Sequence, residues 1–166
     1  MAMLNAVPLK RLTAATLAMC AIAFGASVLA GSSRASGGAK VTYECLAADK
    51  QFVNTVATQL TQLSYWSAAL QTHDAEPGVV VSQARNEAVQ VDATRPGDRT
   101  LHASRDLISS MLKEYAKAVE ATTDAKDGSA HMQNAWRLAA AAHKLLAGAQ
   151  AGLAAKGCDV SRLMQS

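Results

Sequence analysis

The sequence predicts an all-α protein: an up-and-down antiparallel bundle of three long helices and one short second helix, linked by one disulfide. Apolar residues recur with spacings of three, four and seven in long segments that turn-forming residues separate. The chain of 166 residues is 50% hydrophobic but only 4% aromatic, and alanine supplies much of the apolar content. Such a composition favours closely packed helices. Two cysteines, Cys45 and Cys158, lie near opposite ends of the helical region.

Residues 1–30 carry the pattern of a secretory signal peptide. A basic start ends at Arg11, and no charged residue occurs from Leu12 to Ala30. Small residues follow, so we place cleavage near Ala30. Two alternatives stay open: lipidation of Cys20, and an uncleaved anchor, because the apolar stretch just reaches the thickness of the membrane hydrocarbon. In every version the rest of the chain is secreted or periplasmic.

The remainder divides into a linker and one domain. Residues 31–42 are rich in Gly, Ser and Ala and are expected to form a flexible linker, and residues 43–166 form the bundle domain. Signal cleavage removes two basic residues and no acid, which leaves a nearly neutral protein. We therefore expect no nucleic-acid partner, and membrane contact only through the first segment if it is retained or lipidated.

Cys45 and Cys158 are expected to pair, because exported proteins keep disulfides and the spacing fits neither a CxxC redox motif nor a zinc site. A disulfide requires Cα atoms within about 7 Å of each other. Three long helices alone would leave these cysteines at opposite ends of the bundle. Residues 79–98 must therefore carry the chain back along the bundle.

The three long helices have clear limits. The first runs from about Tyr43 to His73, and the turn around Pro77 ends it. The next runs from Thr100 to about Ala125, and Glu114 and Lys117 are placed to pair on its wet side. The last begins with Ser129 as N-cap and ends before Gly157 in a left-handed conformation. The apolar stripe predicted for the first helix contains Leu46, Phe52, Val53, Val56, Leu60, Leu63, Trp66 and Leu70.

The segment 79–92 is ambiguous. Val79, Val80 and Val81 favour extended structure, whereas the residues after Ser82 favour a helix with Ser82 as N-cap. We prefer the helix, and the extended alternative stays open.

No catalytic motif is found. The chain lacks a nucleophile elbow and a phosphate-binding glycine loop, and no acid is placed on a predicted apolar face. His102 and Asp106 have the i, i+4 spacing of a helical ligand pair, and two ligands do not make a metal site. We therefore expect a protein that acts by binding, with no catalytic residue and no metal.

Binding could take one of two forms. The first is contact with a protein partner or a second copy of the chain, and an exposed Tyr65, Trp66 or Trp136 would mark that surface. The alternative is a carrier of a small apolar ligand such as haem, held between helices by His143, Tyr115 and Trp136. The layout resembles small exported bacterial bundles, such as periplasmic sensor bundles and helical haem carriers, and no residue role is carried over.

Overall fold

The computed structural model describes residues 44–164. The chain forms α1 (Ala47–Gln71), α2 (Pro77–Ala93), α3 (Arg99–Thr123) and α4 (Ser129–Ala155), followed by a 3-10 turn at Ser161–Met164. Strands are absent from this part of the chain, and α2 is the shortest α-helix with 17 residues. The predicted all-α bundle with a short second helix is confirmed. The predicted signal peptide and linker lie outside the described residues.

The helices pack in chain order. α1 lies on α2, α2 on α3 and α3 on α4, and α1 also touches α3. Ion pairs on the surface show that α2 and α3 are antiparallel, since Arg85 pairs with Glu120 at 2.7 Å and Asp92 pairs with Lys113 at 2.6 Å. The short turns between the other helices reverse the chain in the same way.

The predicted disulfide joins the two ends of the domain. Cys45 and Cys158 are bonded, their Cα atoms are 5.0 Å apart, and they are separated by 113 positions in the sequence. Because α1 and α3 begin and α2 and α4 end at this pole of the bundle, an even number of crossings brings the cysteines together. We call this pole the disulfide end.

Polar contacts reinforce the disulfide end. The buried carboxylate of Asp49 accepts hydrogen bonds from the backbone N–H of Gly97 at 2.7 Å and of Asp98 at 3.1 Å. The side chain of Asp98 caps α3 and pairs with Lys156 at 2.7 Å, and this pairing lowers the pKa of Asp98. The starts of α1 and α3 and the end of α4 are therefore held together by charges as well as by the disulfide. Gly157 ends α4 with φ 82°, as predicted.

The core is formed mainly by α1, α2 and α3. Its largest fully buried apolar side chains are Phe52, Leu101, Leu112, Val56, Val80, Val91 and Val160. The buried residues of α4 are smaller and comprise Ala135, Ala142, Leu146 and Leu153. Slim side chains let α4 approach α3 closely. At the start of α4 the approach is so close that a Cβ on Gly128 would clash with the backbone carbonyl of Ala118.

Two details of the predicted helices are wrong. α2 begins at Pro77 with Glu76 at the N-cap, so Ser82 is an exposed residue inside the helix and the extended alternative is excluded. Proline is well suited to the first helical position, and burial of Val80 outweighs its β-propensity. α4 has Gly128, not Ser129, at its N-cap.

The predicted stripe of α1 is partly solvent-exposed. Leu46 is 58% exposed, and Leu60, Trp66 and Leu70 are only half-buried. Tyr65 is 66% exposed and packs edge-on against Trp66, with ring centroids 5.2 Å apart. Among residues 44–164, none of the helices is both long and apolar enough to cross a membrane.

Candidate functional site

A groove runs along the outer surface between α3 and α4. Its volume is about 510 Å³. We define the α3–α4 groove by the residues that line it, which are Ser110, Lys113, Glu114, Lys117, Asn134, Arg137 and Leu138. Three of these side chains are cations and one is an anion, so the groove carries an excess of positive charge.

Glu114 is the centre of the polar network in this groove. Its carboxylate accepts from Lys117 Nζ at 2.6 Å, interacts with His131 Nδ1 at 2.8 Å and accepts from Asn134 Nδ2 at 3.4 Å. The hydrogen bond from Lys117, followed by that from His131, lowers the pKa of Glu114 to about 2. Glu114 is therefore ionised at every physiological pH and fixes the positions of its neighbours. The Glu114–Lys117 pair was expected from its spacing in the sequence.

Arg137 extends the network from the other wall. The amide oxygen of Asn134 accepts a hydrogen bond from Arg137, while the amide nitrogen donates to Glu114. Within residues 44–164, no carboxylate pairs with the Arg137 guanidinium, in contrast to the cations of Lys113 and Lys117. Arg137 thus presents N–H donors to an incoming anion without breaking an existing ion pair.

The chemistry of the groove suits binding of an extended anionic group. Guanidinium and ammonium groups form strong, charge-assisted hydrogen bonds with carboxylates. Pockets for apolar ligands are lined mostly by hydrophobic and aromatic side chains, whereas Leu138 is the one large apolar side chain in the α3–α4 groove. The Lys113 and Lys117 side chains are each 51% exposed, so this groove is open along its outer side.

The three residues expected to bind an apolar ligand lie elsewhere. Tyr115 is buried in α3, and its hydroxyl is 2.8 Å from Ser67 Oγ on α1. Trp136 and His143 are half-buried and seven positions apart, on one flank of α4. None of the three lines the α3–α4 groove. Their assignment to haem or another apolar ligand stays a prediction.

A buried acid on α2 was missed by the sequence reading. Glu87 is 2% exposed, and neither of its carboxyl oxygens has a hydrogen-bond partner. Burial raises the pKa of Glu87 from its ordinary value of 4.5 to about 7. The expectation that no acid falls on an apolar face is therefore wrong. The signal was present, since Val80, Ala84 and Val91 lie seven and three positions before and four positions after Glu87.

Two other clusters do not form metal sites. Cys45, Asp49 and Cys158 offer atoms within 4.8 Å of one another, but both sulfurs are committed to the disulfide. His102 Nδ1 lies 3.6 Å from Asp106 on the surface, and Asp106 is also bound by its neighbour Arg105. Neither arrangement supplies three free ligands.

No family model, no curated protein and no solved structure matches this chain. A function for this chain is therefore inferred from the geometry of the groove.

Proposed function

We propose that this chain is an exported, non-catalytic binding protein and that the α3–α4 groove receives an acidic segment of a protein partner. The observation that carries the proposal is the Arg137 guanidinium, which lies in a cationic groove and has no carboxylate of its own among the described residues. The partner supplies that carboxylate.

Export is supported by two independent features. Disulfides form and persist in oxidising compartments, and Cys45–Cys158 is such a bond. The first 30 residues, which lie outside the described part, have the composition of a signal peptide. We place the protein in the periplasm or outside the cell.

The partner class follows from the shape and charge of the groove. The open outer side accommodates a chain that passes through, whereas a small molecule is usually enclosed on most of its surface. The Glu114–Asn134–Arg137 network holds the guanidinium in position before binding, which lowers the entropy cost of association. Acidic side chains that approach this surface are also attracted over a distance of about 8 Å at physiological salt.

The test is selection of ten-residue peptides from a displayed random library on the full chain, expressed with export and with its disulfide intact. We expect enrichment of peptides with several Asp or Glu residues. Arg137→Gln should weaken binding of a selected peptide roughly three- to fivefold, as removal of one exposed charge pair does. Arg162→Gln, which removes an exposed cation outside the groove, is the matched control and should leave binding unchanged.

Two results would overturn the proposal. One is selection without acidic enrichment, and the other is equal loss of binding in Arg137→Gln and Arg162→Gln. If inorganic phosphate at millimolar concentration displaces the peptide completely, the groove is a site for small anions and the assignment to a protein partner is wrong. Self-association blocked by Arg137→Gln would identify a second copy as the occupant instead.

A further inference from the structure

Glu87 differs from the other acids of the bundle because it is buried without a hydrogen bond, whereas the buried Asp49 accepts two. On its own helix the residues above and below it are Ala84 and Val91, both 1% exposed or less. Both carboxyl oxygens lack a hydrogen-bond partner. A carboxylate in this position is very costly, whereas a neutral carboxylic acid is tolerated, because burial penalises the charged form.

The elements packed against α2 provide no compensating charge. From Gln51 to its end at Gln71, α1 contains no charged residue. On α3, Lys113 and Glu120 lie beside α2, and both are held at the surface by ion pairs with Asp92 and Arg85.

The titratable group of α3 that interacts with Glu87 is Tyr115. The Tyr115 hydroxyl is bonded to Ser67, and burial, together with the negative charge of Glu87, raises the pKa of Tyr115. Tyr115 therefore stays a neutral phenol in the range in which Glu87 titrates. Glu114 and Lys117 pair with each other in the α3–α4 groove.

We propose that the packing of α2 on α3 depends on the protonation of Glu87. The contact between the two helices is closed while Glu87 is protonated and loosens when its carboxyl ionises. On ionisation the proton passes to solvent, and the carboxylate must gain water or a hydrogen-bond donor. Helix α2 is the element that yields, because it is the shortest α-helix of the bundle, with 17 residues, and the disulfide joins other segments. Movement of α2 away from Tyr115 lets water reach Glu87.

The sign of the pH dependence follows from the direction of the shift. Burial raises the folded-state pKa of Glu87 above its unfolded value of 4.5, to about 7. The native state therefore binds the proton more tightly than the unfolded or opened state does between these values. The stability that the protonated group contributes is fully present below pH 4.5 and is lost as pH rises through 7.

The experiment is amide hydrogen exchange of the full chain with its disulfide intact, at pH 5, 6, 7 and 8, corrected for intrinsic exchange. The opening equilibrium of residues 77–93 should rise on the order of a hundredfold from pH 5 to pH 8, the change that such a shift implies. Glu87→Gln removes the ionisation and should abolish this rise. Glu120→Gln, a partly exposed acid beside α2, is the matched control and should keep it.

Two outcomes would overturn this proposal. One is exchange in α2 that does not depend on pH beyond the change seen in α4, and the other is an unchanged rise in Glu87→Gln. If Glu87→Gln does not fold, carbon NMR titration of the carboxyl in the unaltered protein decides the question, since a midpoint near 4.5 contradicts the proposal and one near 7 supports it.

Discussion

Two glutamates on neighbouring helices show how strongly the surroundings control the same side chain. Glu87 lies on α2 with both oxygens unpartnered, and Glu114 lies on α3 with three polar partners. Burial raises the pKa of Glu87 to about 7, whereas hydrogen bonds from Lys117 and His131 lower the pKa of Glu114 to about 2. Two neighbouring helices thus carry one carboxyl with a raised pKa and one with a lowered pKa.

The two groups act on stability in opposite directions. Glu114 contributes stability above pH 4.5, and this contribution is lost as pH falls towards 2, because its folded-state pKa is depressed. Glu87 contributes stability below pH 4.5, and this contribution is lost as pH rises through 7. The contributions of these two groups are therefore both present only near pH 4.5.

The largest expected effect comes from removal of the disulfide. It tests whether the difference between the pKa values of Glu87 and Glu114 depends on the helix packing alone or also on the disulfide. Cys45→Ser/Cys158→Ser opens a loop of 113 residues, and the free energy of unfolding should fall by about 4–5 kcal/mol. Urea unfolding measures this loss. The opposite pH slopes of the two glutamates should remain, because neither group is at the disulfide end. Loss of both slopes with the disulfide would show that the helix packing depends on it.

Replacement of the buried acid by an apolar side chain should stabilise the protein. Glu87→Leu removes a polar group without partners, so we expect a gain of about 2 kcal/mol at pH 8 and a smaller gain at pH 5, where the acid is already neutral. The midpoints of urea unfolding at the two pH values provide the comparison. A variant less stable than the parent at pH 8 contradicts the assignment of Glu87 to an unpaired, buried environment.

The smallest effect concerns the surface carboxylate. Glu114→Gln should lower the free energy of unfolding by about 1 kcal/mol at pH 7, since its partners are half-exposed and surface pairs contribute little. The difference should vanish as pH falls from 4.5 towards 2. Asp124→Asn, which removes an exposed pair with Lys126, serves as the control and should be nearly neutral. Equal losses in the two variants would mean that the network around Glu114 has no special role.

Local signals in the sequence predicted most of the architecture. The approximate limits of the helices could be predicted from spacing and turn residues. The pairing of Cys45 with Cys158 could be predicted from the signal-like start of the chain and the two remaining cysteines, and this pairing in turn predicted an even number of crossings. The prediction from local propensity was wrong where burial in the core outweighed the intrinsic preference of a residue for strand or helix. Val80 and Val81 favour extended structure but lie in a helix because the core buries them.

Only part of the candidate site could be predicted from the sequence. The Glu114–Lys117 pair is local to one helix and could be predicted from its i, i+3 spacing. His131, Asn134 and Arg137 come from the next helix, and their approach to Glu114 depends on how far α4 slides along α3. Sequence periodicity identifies the face of each helix but not this register, so the groove could not be predicted from the sequence.

The position of the disulfide also separates the two ends of the domain from the α3–α4 groove. Residues before Glu44 join the bundle at the pole that contains Cys45 and Cys158, whereas Lys117 and Asn134 lie about 20–30 Å further along the helix axes, at the 1.5 Å rise of each residue. The disulfide therefore holds the two ends of the domain together without occupying the surface at which we expect an anion to bind.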